Sequence, residues 1–347
     1  MVSWPHEKAK GAWACDVPAR GCESAQGAPL PEGRHECSLA LLLSRGLGNA
    51  TVRTAQRVAE SMGRTLEDLL KMKGAELAAS VPEGAEGLVS ALAACSEDVR
   101  RCARLLLSDC ARRGVQVFVP GDLSYPERLV RDLGQGAPAL LFVLGDVTLL
   151  DRPAAAIAGA REVSPRGARL AGRCATALVS FGATIVSGGA QGVDVAAHHA
   201  ALRCGGSTIV VLPQGLLTYQ APLWLARRVK SGDVAVVSQF APGAAWETYA
   251  AVARNATISA LANLVCVIEP RKTGGSIRTA RHAMSQRKPL FIHESRCVAS
   301  ETVRLLYSAG ASRLADEHGH LDETRLRHAW TSYSVPVGQM DMPEQET

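Results

Sequence analysis

Six short apolar runs, separated by stretches of helical periodicity, constrain this chain more than any other feature. They are Ala155–Ala158, Thr184–Val186, Thr208–Leu212, Val234–Ser238, Leu264–Ile268 and Leu290–Ile292. A strand that is apolar throughout has no solvent face, so it belongs in a sheet covered on both sides. Alternation with helices makes that sheet parallel, because each return to a parallel strand needs a crossover long enough to hold a helix. The crossover helices are expected near Arg166–Phe181, Val193–Cys204, Leu223–Ser231, Arg254–Ala262 and Ile277–Gln286. Two further strands, Val115–Val119 and Ala139–Leu144, flank the turn segment Gly121–Pro126. Residues 114–298 therefore read as one doubly wound, mostly parallel α/β domain.

Upstream the period is helical. Leu41–Leu43 ends one helix and Gly46-Leu47-Gly48 turns the chain. Val52, Ala55, Gln56 and Ala59 mark a second helix from about Asn49, and Val99, Cys102, Ala103, Leu106 and Cys110 a third. Residues 37–113 are thus expected to form a small all-helical domain. Residues 1–36, with Pro, Gly and Ser but no apolar period, read as a flexible arm. Residues 299–347 hold one or two helices and an acidic, Pro-containing tail expected to be loose.

Composition removes several classes. Hydrophobic residues make up 47% and charged residues 20% of the 347, ordinary for a globular protein and wrong for a disordered one. No apolar run approaches the ~20 residues that span a bilayer, and no signal-peptide core lies between Met1 and Arg34. The 10 cysteines include no Cys-x-x-Cys pair. Cys102, Cys174 and Cys266 sit in apolar stretches and are expected to serve as small hydrophobes. A cytosolic, reduced protein without metal or cofactor is expected.

In doubly wound sheets ligands bind where the carboxyl ends of strands meet helix N-termini. Three strand ends have residues suited to that. Gly159-Ala160-Arg161 precedes Ser164-Pro165, an N-cap followed by a first-turn proline, and Arg161 would place a fixed positive charge over the crevice. Ser187-Gly188-Gly189-Ala190-Gln191-Gly192-Val193-Asp194 follows the second core strand. Its glycines let backbone approach a phosphate, and Asp194 can cap or orient the next helix. Thr273-Gly274-Gly275-Ser276 follows the fifth, where Ser276 and Thr279 open a helix whose N–H groups face an anion. No dinucleotide fingerprint and no Gly-Lys-Ser/Thr accompany them, so the chemistry is phosphate binding without nucleotide specificity.

The formal charge of +5 is small for 347 residues, but it is unevenly placed. Arg271, Lys272, Arg278, Arg281, Arg287 and Lys288 face a single acid, Glu269, so this segment has an excess of 5. Such clusters hold phosphate backbones, and their affinity falls with salt. His198 and His199 have no nucleophile or carboxylate partner in sequence, and His318 and His320 are too few for a metal. Binding is indicated rather than bond-breaking.

The series of motifs resembles the bacterial DNA-processing protein A family (DprA/Smf) from about Leu41 to His293. It includes Tyr125-Pro126, Leu129, Leu141-Phe142, Gly145-Asp146, Gly159-Ala160-Arg161, the Ser187–Asp194 loop, Ala197-His198, Ala201-Leu202, Arg254-Asn255 and Gly275-Ser276 with Thr279-Ala280. The resemblance implies an extended Rossmann-like domain preceded by a helical, sterile-alpha-motif-like or helix-hairpin-helix region. It also implies a dimer that binds single-stranded DNA and loads the RecA recombinase during natural transformation, without catalysis. Taken together, the strand ends, the basic segment and the resemblance give as expected DNA-binding residues Gly159, Arg161, Ser187, Gly188, Gly189, Gln191, Gly192, Asp194, Arg254, Asn255, Lys272, Gly274, Gly275, Ser276, Arg278 and Thr279. Departures are Ala160 for serine, Gln191 for a frequent basic residue and Ala256 for the second arginine of Arg-Asn-Arg. Two alternatives stand beside it. One is a nucleoside-monophosphate phosphoribohydrolase of the LOG type, of whose Pro-Gly-Gly-x-Gly-Thr only Pro213-Gln214-Gly215 is an echo. The other is a regulatory homologue that has lost DNA binding. With fifteen aromatics in the chain, backbone contacts are expected to outweigh base stacking.

Overall fold

The structure is a computed structural model that describes residues 33–72, 74–80, 86–271, 274–294, 301–316 and 318–334. Six helices come first: α1 (Gly33–Leu43), α2 (Asn49–Ser61), α3 (Leu66–Lys71), α4 (Gly74–Ser80), α5 (Glu86–Ala93) and α6 (Glu97–Arg112). β1 (Val115–Phe118), α7 (Glu127–Leu133), β2 (Leu141–Gly145), β3 (Ala154–Gly159), α8 (Pro165–Ser180), β4 (Thr184–Ser187) and α9 (Val193–Arg203) follow. The chain continues through β5 (Thr208–Leu212), α10 (Leu223–Ser231), β6 (Val234–Ser238), α11 (Thr248–Ala260), β7 (Leu264–Ile268) and α12 (Gly275–Ser285). It ends with β8 (Leu290–His293), α13 (Glu301–Ser308), β9 (Ser312–Arg313) and α14 (Glu323–Ser334). This is the α/β, Rossmann-like architecture with a helical region ahead of it that the apolar runs predict. Of the arm expected over 1–36, residues 1–32 lie outside the described residues, and α1 begins at Gly33 rather than after it. α11 begins at Thr248, ahead of the expected Arg254, because Tyr249 is exposed and gives no core signal.

The chain divides into two compact units, each discontinuous in sequence. The first runs to Asp151 and resumes over Thr208–Thr257; the second comprises Arg152–Ser207 and the chain from Ile258 onward. In the first, the strand order is β1-β2-β6-β5. β2 runs antiparallel to both neighbours and β5 parallel to β6. The helices are tied to the segment entering β2 by half-buried Asn49 and buried Gln56 of α2. Asn49 donates to Ala137 O at 2.8 Å and accepts from Ala139 N at 2.6 Å, and Gln56 donates to Ala139 O at 3.0 Å. Each such bond satisfies a backbone group that would otherwise be costly to bury.

In the second unit the order is β4-β3-β7-β8-β9, parallel throughout. β3 and β7 are buried along almost their whole length, as their continuous apolar sequences require. Ile157, Leu170, Leu178, Ile185, Leu264 and Ile268 form the centre of its core. Each fully buried side chain of this size contributes about 1.5–3 kcal/mol. Cys174 and Cys266 lie in that core, whereas Cys102 is exposed. The buried stripe of α6 runs through Ala103 and Cys110, two turns apart, and leaves position 102 on the solvent side.

The C-terminal extension, expected to hold one or two helices, contains α13 and α14, and residues 335–347, the tail expected to be loose, lie outside the described residues. Trp330 of α14 is buried in the same core, and its Nε1–H donates to Phe181 O at 2.8 Å. The Arg327 guanidinium lies 4.1 Å over the Phe181 ring. Little in the local sequence marks this docking, because its partner is the end of α8, far back along the chain.

Candidate functional site

Three adjacent strands, β4, β3 and β7, carry the three glycine-rich ends. Ala156 pairs with Val186, and Gly159 pairs with Ile268. Neighbouring strands lie about 4.8 Å apart, so the three ends span roughly 10 Å. The loops are packed backbone to backbone. A Cβ on Gly159 would stand 2.2 Å from Ile268 O, and one on Gly192 2.3 Å from Ala160 O and 2.4 Å from Arg161 O. Val193 N donates to Ala160 O at 3.2 Å, and Ala160 N to Ile268 O at 3.2 Å. Close approach between loops is thus what Gly159 and Gly192 supply first.

The helix starts at these ends differ in what occupies them. At α8, Ser164 is the N-cap, as its sequence predicts, accepting from Gly167 N at 2.9 Å. A second group completes that end. Glu269, just past β7, accepts from Ser164 N at 2.8 Å and from the Ser164 hydroxyl at 2.5 Å. Its carboxylate therefore sits where the helix dipole favours an anion. Gly167 makes room for it, since a Cβ there would lie 2.6 Å from the Glu269 carboxyl carbon. Glu269 takes a left-handed φ of 49°, a conformation that costs a non-glycine residue on the order of 1 kcal/mol. Nothing in local sequence marks this residue, because its partner is 105 positions away.

At the β4 end, Asp194 is buried and its Oδ2 accepts from Gly188 N at 3.2 Å and Ala190 N at 3.3 Å. Two amides expected to face a phosphate are therefore satisfied within the loop. Ser187 is also turned inward, its hydroxyl donating to Ile157 O at 2.5 Å. Gly189 and Gln191 are exposed at the loop tip.

Among the described residues, the start of α12 is the open one. Gly274 is its N-cap with no side-chain cap, and no acid stands in its first turn. Gly274, Gly275 and Arg278 are exposed, whereas Ser276 is buried. Thr279 is buried and donates to Gly275 O at 3.2 Å, so its hydroxyl serves the helix rather than a ligand. Lys272 lies outside the described residues.

The basic segment separates into parts. Arg271 pairs with Glu162 at 2.6 Å. Lys288 donates to Ser259 O at 2.6 Å, Ala260 O at 3.0 Å and Ala262 O at 2.5 Å, so it holds the end of α11 and not a ligand. Arg287 follows the C-terminus of α12, about 16 Å along an 11-residue helix from its start. Arg278 and Arg281 on α12, and Arg161 at the β3 end, are exposed and without an ion pair among the described residues. Arg278 also lowers the His282 pKa, after burial, which is the larger cause.

Arg254 and Asn255, on α11 in the first unit, are 6% and 5% exposed, so the expected contacts are not surface groups. Asn255 Nδ2 is buried with no hydrogen-bond partner among the described residues. His198 is fully buried, as a packing residue would be. Among the described residues no group of three or more His, Cys, Asp or Glu could hold a metal, and no helix is long and apolar enough to cross a membrane.

A family model described as DNA recombination-mediator protein A matches residues 116–324. The DNA processing protein DprA of Streptococcus pneumoniae is 36% identical over 156 residues, covering 45% of this chain and 55% of that protein. The chain thus spans about half the length of this curated relative. The solved structure of the Streptococcus pneumoniae protein aligns with a TM-score of 0.66 and 25% identity, over 82% of this chain and 96% of that one. A structure of DNA processing protein A from Helicobacter pylori, described for its single-stranded DNA binding mode, aligns with a TM-score of 0.52 and 26% identity, over 63% of this chain and 98% of that one.

Proposed function

The chain belongs to the DNA recombination-mediator protein A family, and from that premise we propose that it binds single-stranded DNA through the phosphate backbone. The strand would lie at the ends of β4, β3 and β7, on Arg161, Gly189, Gln191, Gly274, Gly275 and Arg278. In this reading the protein works by binding rather than by bond-breaking. It protects incoming DNA during uptake and loads the RecA recombinase, as a cytoplasmic homodimer without a cofactor. One observation carries the reading. Of three helix starts at adjacent strand ends, α12 alone has, among the described residues, neither a side-chain cap nor an acid in its first turn, and Arg278 on that helix and Arg161 at the adjacent β3 end are exposed without an ion pair among those residues. Free N–H groups, the dipole and fixed guanidinium charge all favour phosphate there. The Helicobacter pylori relative, whose structure concerns single-stranded DNA binding, supports it.

Filter binding of a labelled single-stranded oligonucleotide at several salt concentrations is the test. Arg161→Ala together with Arg278→Ala is expected to weaken binding by one to two orders of magnitude. The double change should also reduce the salt slope by about 1.4, since each phosphate contact on a single strand contributes about 0.7. Affinity indifferent to salt or to the double substitution would rule the reading out. Lys288→Met separates charge from architecture. Losing its three carbonyl contacts should destabilise the fold by about 2 kcal/mol and leave the salt slope unchanged. A fall in slope for Lys288→Met would return this residue to the DNA surface. Recovery of RecA with the immobilised protein tests the partner assignment.

A further inference from the structure

Arg161 sits on a short loop held at its two ends by different means. At the start, Ala160 is fixed by backbone bonds to Ile268 O and from Val193 N, each 3.2 Å. At the far end, Ser164 is held by both carboxylate oxygens of Glu269, at 2.8 Å and 2.5 Å. Glu269 is itself pinned, its N–H donating to His293 O at 2.7 Å, in a left-handed conformation with φ 49°. A non-glycine residue keeps such a backbone only where its surroundings determine it. Between the two anchors, Glu162 meets Arg271 at 2.6 Å, an exposed pair of little energetic weight.

We propose that Glu269 is a positioning residue for DNA binding: its carboxylate tethers the Arg161 loop and so raises affinity for a polyanion. This inference rests on the single-stranded DNA reading above. It runs against the simple electrostatic expectation, in which removing a carboxylate beside a phosphate site strengthens binding. Two opposite effects are therefore combined in one carboxylate, and the geometry favours the tether. Both carboxylate oxygens are engaged by Ser164, and the charge lies against the N-terminus of α8, which partly neutralises it.

Oligonucleotide affinity and its salt dependence are measured for the wild-type chain, Glu269→Ala, Glu269→Gln and Ser164→Ala, each at a temperature where its fold is intact. Glu269→Ala should weaken binding about tenfold and reduce the salt slope by about 0.7, the share of one single-strand phosphate contact. Glu269→Gln removes the charge but keeps an oxygen for Ser164 N–H, and should bind within about threefold of wild type. In an Arg161→Ala background, Glu269→Ala should have no further effect, because the two act through one contact. If Glu269→Ala does not fold, Ser164→Ala provides the test, with a smaller loss in the same direction and the same dependence on Arg161. Tighter binding by Glu269→Ala, an unchanged slope, or an equal loss with and without Arg161 overturns the proposal. Absence of wild-type binding instead overturns the functional reading on which it stands.

Discussion

Alanine at position 192 is expected to lower the melting temperature by roughly 6–12 °C and to abolish tight oligonucleotide binding. Gly192 has φ +85° and ψ −124°, a combination that residues with a Cβ avoid. The added carbon would lie 2.3 Å from Ala160 O and 2.4 Å from Arg161 O. Both are backbone atoms, so no rotamer change relieves the contact and the two loops must separate. Strain and displacement together should cost about 3 kcal/mol, and each kcal/mol shifts the midpoint by about 2–4 °C in a chain of this size. Binding suffers as well, because the displaced peptide carries Arg161. Gly182 is the control: its φ is +86°, yet a Cβ there meets nothing within 4 Å. Gly182→Ala should cost about 1 kcal/mol, the penalty of a left-handed backbone for a residue with a Cβ, and leave affinity intact. Thermal melts and filter binding on both variants decide the matter, and equal destabilisation by the two would show that loop packing is not the cause.

Trp330→Ala is expected to destabilise the second unit by about 3–5 kcal/mol, the range for emptying a buried aromatic site. Trp330 is 4% exposed and packs in the core that contains Leu170, Cys174 and Leu326. Its indole N–H also satisfies Phe181 O. Trp330→Phe fills much of the space but orphans that carbonyl, for an expected loss of about 1–2 kcal/mol. Equilibrium denaturation provides the numbers, and limited proteolysis should show new cleavage within α14 for Trp330→Ala. A change below about 1 kcal/mol would mean that α14 is a detachable extension rather than part of the core.

The core strands were readable because their signal is local and redundant. β5, β6 and β7 occupy the spans that their apolar runs define, and Ser164 caps α8 where Ser-Pro announces a helix start. α7 leaves little periodic signal, because Glu127–Leu133 is short and only Leu129 among its residues is buried. β9 has two residues and no period to detect. The charged segment was legible as composition but not as a surface. Arg278 reaches solvent, Arg271 is paired with Glu162, and Lys288 is held by the carbonyls at the end of α11.

What the chain determined by itself is the alternation of buried strands with amphipathic helices, and the glycines at three strand ends. Periodicity, capping and freedom from Cβ are properties of neighbouring residues, so they can be read along the sequence. Tertiary structure alone decided which strand ends are adjacent and which helix starts are already filled. Glu269 fills the α8 start from 105 residues away, Asp194 satisfies the β4 loop, and α12 is left open. A helix start binds an external anion only if no internal one reaches it first, and that depends on contacts the linear order does not contain.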